Sequence, residues 1–206
     1  GLSYLQINQY PQALESLNKS ILLKEDWRTY YACGIAYHRL KINGRSDQTI
    51  NAYKKASELK QHWRIFYDLG RVLENTKQFD AAIISYKKSL DLVKEAPQSL
   101  YYHLGSAYCK SNQYIEAIEV LCKCNKGFKK DYRAYRELGW AFLKVKNYKS
   151  ARNYFIKSLL MKEHWSAYRG LGNALFELKH FSLAKLSIRR SAKLELGSQG
   201  KAYCDL

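Results

Sequence analysis

An all-α solenoid of helix–turn–helix repeats is the fold that this 206-residue sequence predicts, and three observations carry the prediction. First, a glycine recurs at Gly1, Gly34, Gly70, Gly105, Gly139 and Gly172, at intervals of 33, 36, 35, 34 and 33 residues. Second, the residues around each glycine keep their character. Three positions on stand Tyr4, Tyr37, Leu73, Tyr108, Phe142 and Leu175; twelve on stand Ala13, Ala82, Ala117, Ala151 and Ala184, with Thr49 displaced to fifteen on in the second period. Four beyond those lie Leu17, Tyr53, Tyr86, Leu121, Phe155 and Ile188, and three further lie the small residues Ser20, Ala56, Ser89, Cys124, Ser158 and Ser191. Third, apolar residues within a period fall at three/four spacing, as in Phe79, Ala82, Ile83 and Tyr86, which is the pattern of an amphipathic helix. Units of this length cannot bury an apolar face alone and do so by stacking on their neighbours.

Each element follows from these registers. Residues 10–23, with Ala13 and Leu17, form the second helix of the first period. Residues 27–42 carry Gly34 and Tyr37, and Lys-Ile-Asn-Gly-Arg-Ser at 41–46 is a loop lengthened by three residues, which displaces Thr49 in the helix at 46–59. The pair 63–76 and 79–93 carries Leu69-Gly70 and then Phe79. Pro97 opens 97–111 in the first turn, where its missing N–H costs little. The helix at 114–126 holds Ala117 and Leu121, 131–145 holds Leu138-Gly139, and 148–161 holds Ala151 and Phe155. The last pair is 164–178 around Leu171-Gly172 and 181–195 around Ala184 and Ile188. A glycine inside a helix costs about 1 kcal/mol relative to alanine, so its recurrence at one phase predicts close approach of a neighbouring helix. No domain boundary is expected within 1–206.

The pattern of aromatic, Leu-Gly, aromatic, alanine and aromatic resembles the tetratricopeptide repeat family. Tyr135, Leu138, Gly139, Phe142, Ala151 and Phe155 show it, as do Tyr168, Leu171, Gly172, Ala184 and Ile188. The resemblance covers essentially all residues and implies a right-handed α–α superhelical solenoid of about six repeats. The family's usual inter-repeat proline is replaced in three turns by Lys-Glu-Asp-Trp, Lys-Gln-His-Trp and Lys-Glu-His-Trp, bearing Trp27, Trp63 and Trp165. Such turns resemble bacterial arrays that are sometimes joined to sulfotransferase or glycosyltransferase domains. Gly1 is already a repeat glycine, and Lys201–Leu206 matches Ser166–Leu171. A fragment of a longer array, cut mid-repeat at both ends and attached to other domains, is therefore expected.

In that family the first helices line the concave surface. Positions six and three before each glycine, and one and four after, are then expected to face the groove. They supply Arg28, Tyr31, Ile35 and His38; Arg64, Tyr67, Arg71 and Glu74; Ser99, Tyr102, Ser106 and Cys109; Arg133, Arg136, Trp140 and Leu143; and Ser166, Arg169, Asn173 and Phe176. Seven of the 11 arginines fall on first helices, whereas lysines crowd the second, as in Lys54-Lys55 and Lys87-Lys88. Arginine grips carboxylates bidentately and stacks on rings, and lysine acts as a hydrated point charge. The expected peptide-binding residues are therefore Arg28, Tyr31, Arg64, Tyr67, Arg71, Tyr102, Arg133, Arg136, Trp140, Arg169, Asn173 and Phe176. The expected partner is an acidic protein or peptide segment, extended or helical. The competing reading is that these arginines only pair with neighbouring Asp and Glu.

The carboxylate clamp of co-chaperone members is not reproduced: Arg169 with Asn173 imitates its first pair, but Asp205 stands where asparagine is needed. At the corresponding sites Ala32, Asp68, His103 and Glu137 also leave no asparagine ladder. The 35 Lys+Arg against 18 Asp+Glu give a net charge of +17, which favours anionic partners. The base-reading polar pairs of RNA-binding helical repeats do not recur, which weighs against specific nucleic-acid recognition. No cofactor, metal or catalytic residue is expected. Cys122 and Cys124 point to different sides of a helix, and His62 and His164 precede tryptophans in turns. No zinc-ligand spacing, phosphate-cradling glycine loop or nucleophile motif occurs. Five cysteines without a regular framework suit a reducing compartment. With no leader peptide in view and no run approaching the roughly 18–20 apolar residues of a membrane helix, the expectation is a cytoplasmic, non-membrane protein. Its alternative is a targeting or dimerisation arm of a larger enzyme.

Overall fold

A computed structural model describes residues 1–40, 46–124 and 131–204, with side chains through residue 197. Two compact units organise it, Gly1–Ala96 and Pro97–Leu206. The first holds α1 (Leu2–Gln6), α2 (Tyr10–Leu23), α3 (Trp27–Leu40), α4 (Ser46–Leu59), α5 (Trp63–Asn75) and α6 (Phe79–Leu92). The second holds α7 (Gln98–Lys110), α8 (Tyr114–Cys124), α9 (Tyr132–Lys144), α10 (Tyr148–Met161), α11 (Trp165–Glu177) and α12 (Phe181–Cys204). Among the described residues every regular element is a helix. In both units consecutive helices pack as antiparallel pairs, and successive pairs stack.

The repeat glycines lie where two helices of one pair approach. An added Cβ at Gly70 would stand 2.6 Å from the Tyr86 ring, at Gly139 2.6 Å from Phe155, and at Gly172 2.6 Å from Ile188. Gly34 and Gly105 meet Tyr53 and Leu121 in the same way. The alanines twelve positions on are fully or almost fully buried, as is Thr49, their counterpart in the second period. The small register near the end of each second helix does more than fill space. The hydroxyls of Ser89, Ser158 and Ser191 each donate to the carbonyl of the residue 26 earlier, Trp63, Tyr132 and Trp165, at 2.8 Å. The Cys124 thiol does the same to Gln98 at 3.5 Å, and burial pushes that thiol up to about 11. Each such bond ties the end of a second helix to the start of its first.

The turns inside the pairs share a left-handed residue seven positions after the glycine: Asn8, Lys77, Asn112, Lys146 and Lys179, with φ of 59–63°. At Lys77 the N–H reaches the Glu74 carbonyl and the next N–H, of Gln78, reaches Leu73. This pair of bonds closes the helix end and reverses the chain. The same two-bond closure recurs around Asn112, Lys146 and Lys179.

Helix limits depart from expectation in two places. Pro97 caps α7 from just outside it, φ −65° and ψ 145°, rather than occupying its first turn. Residues 125–126, expected to end α8, and the loop expected at 41–46, apart from Ser46 at the start of α4, lie outside the described residues. The larger departure is α12, expected to end at 195 and to give way to a new first helix at 201, which instead continues to Cys204. The turns after α2 and α10 break into extended backbone at Lys24 and Lys162 and are followed by tryptophan. Residues 196–200 contain no proline or tryptophan, and α12 runs through Gly197 and Gly200.

Candidate functional site

The first helices start alike. Eight residues before the glycine, a side chain accepts the backbone N–H two residues on: Asp26 from Arg28 at 3.3 Å, His62 from Arg64 at 3.3 Å, Asp131 from Arg133 at 2.8 Å and His164 from Ser166 at 3.1 Å. The two histidines, expected as turn residues, are thus N-caps using Nδ1 as acceptor, a role that requires the neutral ring. This anchors the aromatic that follows, Trp27, Trp63, Tyr132 or Trp165, and the residue after it.

In the first unit, Trp27, His62 and Trp63 stack in series, His62 lying 6.0 Å from the first indole and 6.1 Å from the second. Arg28 lies 5.0 Å over Trp27 and pairs with Asp26 at 3.8 Å. Arg71 lies 5.9 Å over Tyr67 and pairs with Asp68 at 3.8 Å. Tyr31 donates to Asp68 at 2.6 Å and joins α3 to α5; burial first, then this bond, pushes its hydroxyl far up. Arg64 lies 5.2 Å over Trp63, is exposed, and has no carboxylate partner among the described residues.

In the second unit, Arg133 is held twice. It makes three side-chain bonds of 2.8–3.2 Å to Asp131 and lies 4.7 Å over Tyr102, joining α9 to α7. Burial pushes the Asp131 carboxyl up, but the Arg133 bonds outweigh it and hold the group below its ordinary range. Burial likewise carries the Tyr102 hydroxyl up to about 12. Arg136 bonds Glu137 at 3.2 Å. Arg169 is exposed, lies 4.8 Å over Trp165 and 5.9 Å over Trp140, and has no carboxylate partner among the described residues. Trp140 is fixed between Ser166, to which its Nε1 donates at 3.2 Å, and Phe155, edge-on at 5.4 Å. Arg136, Trp140, His164, Trp165 and Arg169 surround a cleft of about 450 Å³. A second cleft of about 530 Å³ opens on the other side of Trp140, between Leu143, Asn173, Phe176 and Ile188.

The structure thus gathers the expected residues by unit: Arg28, Tyr31, Arg64, Tyr67 and Arg71 in the first; Tyr102, Arg133, Arg136, Trp140, Arg169, Asn173 and Phe176 in the second. Four of the six arginines, Arg28, Arg71, Arg133 and Arg136, carry an acidic partner. Arg64 and Arg169 stack on tryptophan with no such partner. Two residues expected to face the groove are buried instead: Glu74, which accepts from Tyr86 at 2.9 Å, and Ser106. The sequence reading missed Trp63 and Trp165 as platforms, although their recurrence seven residues before a repeat glycine, shared with Trp27, was visible.

Cys33, Cys109, Cys122 and Cys124 are free thiols. Among the described residues no group of three His, Cys, Asp or Glu side chains could hold a metal, and no helix is long and apolar enough to cross a membrane.

Burial, then the charges of Arg136 and Lys162, lowers His164 from its ordinary value near 6.5. The folded protein therefore holds this proton less tightly than the unfolded chain. The cap contributes fully above about 6.5 and is lost as pH falls through the lower folded-state value. The thermal midpoint of the wild type is expected to drop on acidification through this window more than that of His164→Asp, whose carboxylate still accepts the Ser166 N–H. Equal slopes would remove His164 from the account.

Sequence models described as tetratricopeptide repeat match residues 64–92 and 98–126, and another of the same description matches 136–190, together more than half of the chain. No curated protein matches by sequence. Among solved structures, MamA (41-end) from Desulfovibrio magneticus RS-1 superposes with a TM-score of 0.74 at 20% identity, covering 83% of this chain and 96% of that one. The C-terminal part of a TPR repeat-containing protein from Cytophaga hutchinsonii gives 0.74 at 21%, covering 95% and 78%. YrrB, described as a TPR protein with an unusual peptide-binding site, gives 0.72 at 19%, covering 87% and 92%. At these identities the likeness is one of fold.

Proposed function

The chain belongs to the tetratricopeptide repeat family, and from that premise we propose that it is a non-catalytic, cytoplasmic protein-binding scaffold whose first helices capture an acidic peptide segment. One observation carries the reading: Arg64 and Arg169 are exposed guanidiniums, each held against tryptophan and without a carboxylate partner among the described residues. Stacking leaves the edge of a guanidinium, with its N–H fork, turned to whatever carboxylate arrives. The net charge of +17 steers acidic chains toward the surface without specifying where they dock. YrrB, similar in fold, is described as having a peptide-binding site, which supports the reading of a peptide-binding scaffold. The tyrosines and Trp140 would add contact area, and residues 1–206 would act as one array. The alternative of an arm serving a sulfotransferase or glycosyltransferase draws nothing from this geometry.

Calorimetric titration with acidic, uncharged and basic peptides of equal length, and with single-stranded RNA, tests the proposal. Acidic peptides are expected to bind and to keep measurable affinity at raised salt, while RNA affinity collapses with salt and shows no base preference. Binding of RNA alone, or of no peptide, would overturn it.

A further inference from the structure

We propose that the second unit reads a two-part signature in an extended segment: one acidic residue and one large apolar residue three positions apart. The inference rests on the acidic-segment reading above and assigns its register.

The two clefts flank a single side chain, Trp140. On one side the cleft holds two guanidiniums against one carboxylate: Glu137 is bonded by Arg136 at 3.2 Å, while Arg169, with the Ser166 hydroxyl beside it, has no carboxylate partner among the described residues and keeps its N–H groups to offer. That chemistry takes a carboxylate. On the other side Leu143, Phe176 and Ile188 form an apolar wall, and Phe176 and Ile188 remain 57% and 45% exposed. Exposed aromatic surface in a recess beside charge gains from covering by an apolar side chain. The polar rim, which includes Lys144 and Glu177, leaves the backbone of a bound segment in a wet environment.

Geometry sets the spacing. Arg169 and Phe176 lie seven residues apart on α11, two helical turns and about 10 Å along its axis. In a polyproline II segment, side chains three apart lie on one side and about 9 Å from each other. In a β-strand the same-side spacings are about 7 Å and about 14 Å, which fall short of and beyond the two clefts. The three-residue spacing of a polyproline II segment therefore lets one carboxylate meet Arg169 while an apolar ring lies against Phe176, with Trp140 under the residues between. Proline at the two intervening positions holds that conformation in advance.

The test titrates the whole chain with peptides in one Gly/Ser frame containing Glu-Pro-Pro-Phe, its reverse Phe-Pro-Pro-Glu, the shorter Glu-Pro-Phe, the longer Glu-Pro-Pro-Pro-Pro-Phe, and Glu-Pro-Pro-Ala. One of the two three-position peptides is expected to bind at least 5-fold more tightly than the shorter, longer and alanine forms. Phe176→Ala is expected to erase that advantage, so that the phenylalanine and alanine peptides bind alike. Arg169→Glu is expected to weaken both by at least 10-fold, and both exposed substitutions should leave the circular dichroism intact. If the acidic peptides bind equally whatever the place or presence of phenylalanine, the acidic scaffold reading stands and the two-part signature falls. If no acidic peptide binds, both fall.

Discussion

Gly170→Ala is expected to destabilise the second unit by about 1–3 kcal/mol, although the substitution favours helix everywhere else. The reason is Phe155. Its ring is fully buried, and an alanine Cβ at residue 170 would fall inside it. The ring cannot retreat, because the repeat glycine Gly139 faces it from its own pair, where an added Cβ would stand 2.6 Å from Cε1. Trp140 meets it edge-on at 5.4 Å. Phe155 is thus clasped by two glycines on two first helices, and relief must come from an off-rotamer ring or a shift of α11. Gly197→Ala supplies the control, since nothing lies within 4 Å of its would-be Cβ. That variant is expected to gain up to about 1 kcal/mol from helix propensity. Phe155→Leu in the Gly170→Ala background should recover part of the loss by removing the ring edge. Denaturant midpoints measure all three, and a Gly170→Ala protein as stable as Gly197→Ala would refute the clasp.

Gly170 also shows where sequence reasoning stops. The recurring glycines were legible because six periods state them six times, and their purpose followed from the cost of glycine in a helix. Gly170 is stated once. Two residues before the repeat glycine the other periods carry Ala32, Asp68, His103 and Glu137, so its meaning depends on the one ring beneath it. The caps were written plainly at a fixed register, but histidine is not among the usual capping residues, and its role emerges only from Nδ1 geometry. The left-handed turn residue was hidden similarly, since lysine at Lys77, Lys146 and Lys179 signals nothing about positive φ, whereas Asn8 and Asn112 do. The arginine partners were within reach of the sequence. Asp26 and Asp131 stand two residues before Arg28 and Arg133, Asp68 three before Arg71, and Glu137 one after Arg136. A scan of neighbouring charges on each first helix would have set Arg169 apart, but not Arg64, which has Asp68 one helical turn on; only the structure gives that carboxylate to Tyr31 and Arg71. The end of α12 was not legible, because Gly197 and Gly200 are stop signals that this helix runs through.

Reversing charge at Arg64 and Arg169 is expected to reduce affinity for acidic peptides at least 10-fold for each and to leave the thermal midpoint unchanged. A charge-assisted hydrogen bond contributes about 1.5–3 kcal/mol, which sets that scale. Among the described residues neither guanidinium holds a carboxylate, and both are exposed, so a glutamate there breaks no ion pair. Arg133→Glu separates the two meanings of an arginine on these helices. It removes three side-chain bonds to Asp131, the cap of α9, and places a like charge beside a carboxyl that is 15% exposed. It also ends the contact over Tyr102 that joins α9 to α7. A loss of about 1–3 kcal/mol of stability is expected, so any fall in binding by this variant reports the fold as well as the ligand. Arg133→Lys should retain the charge but lose the forked grip on Asp131, recovering less than full stability. Reversing Arg133 together with Arg136 would therefore confound capture with folding, and the single variants at 64 and 169 do not. Wild-type affinity in both of those, with the helices intact, would mean that the arginines of the first helices serve their neighbours alone.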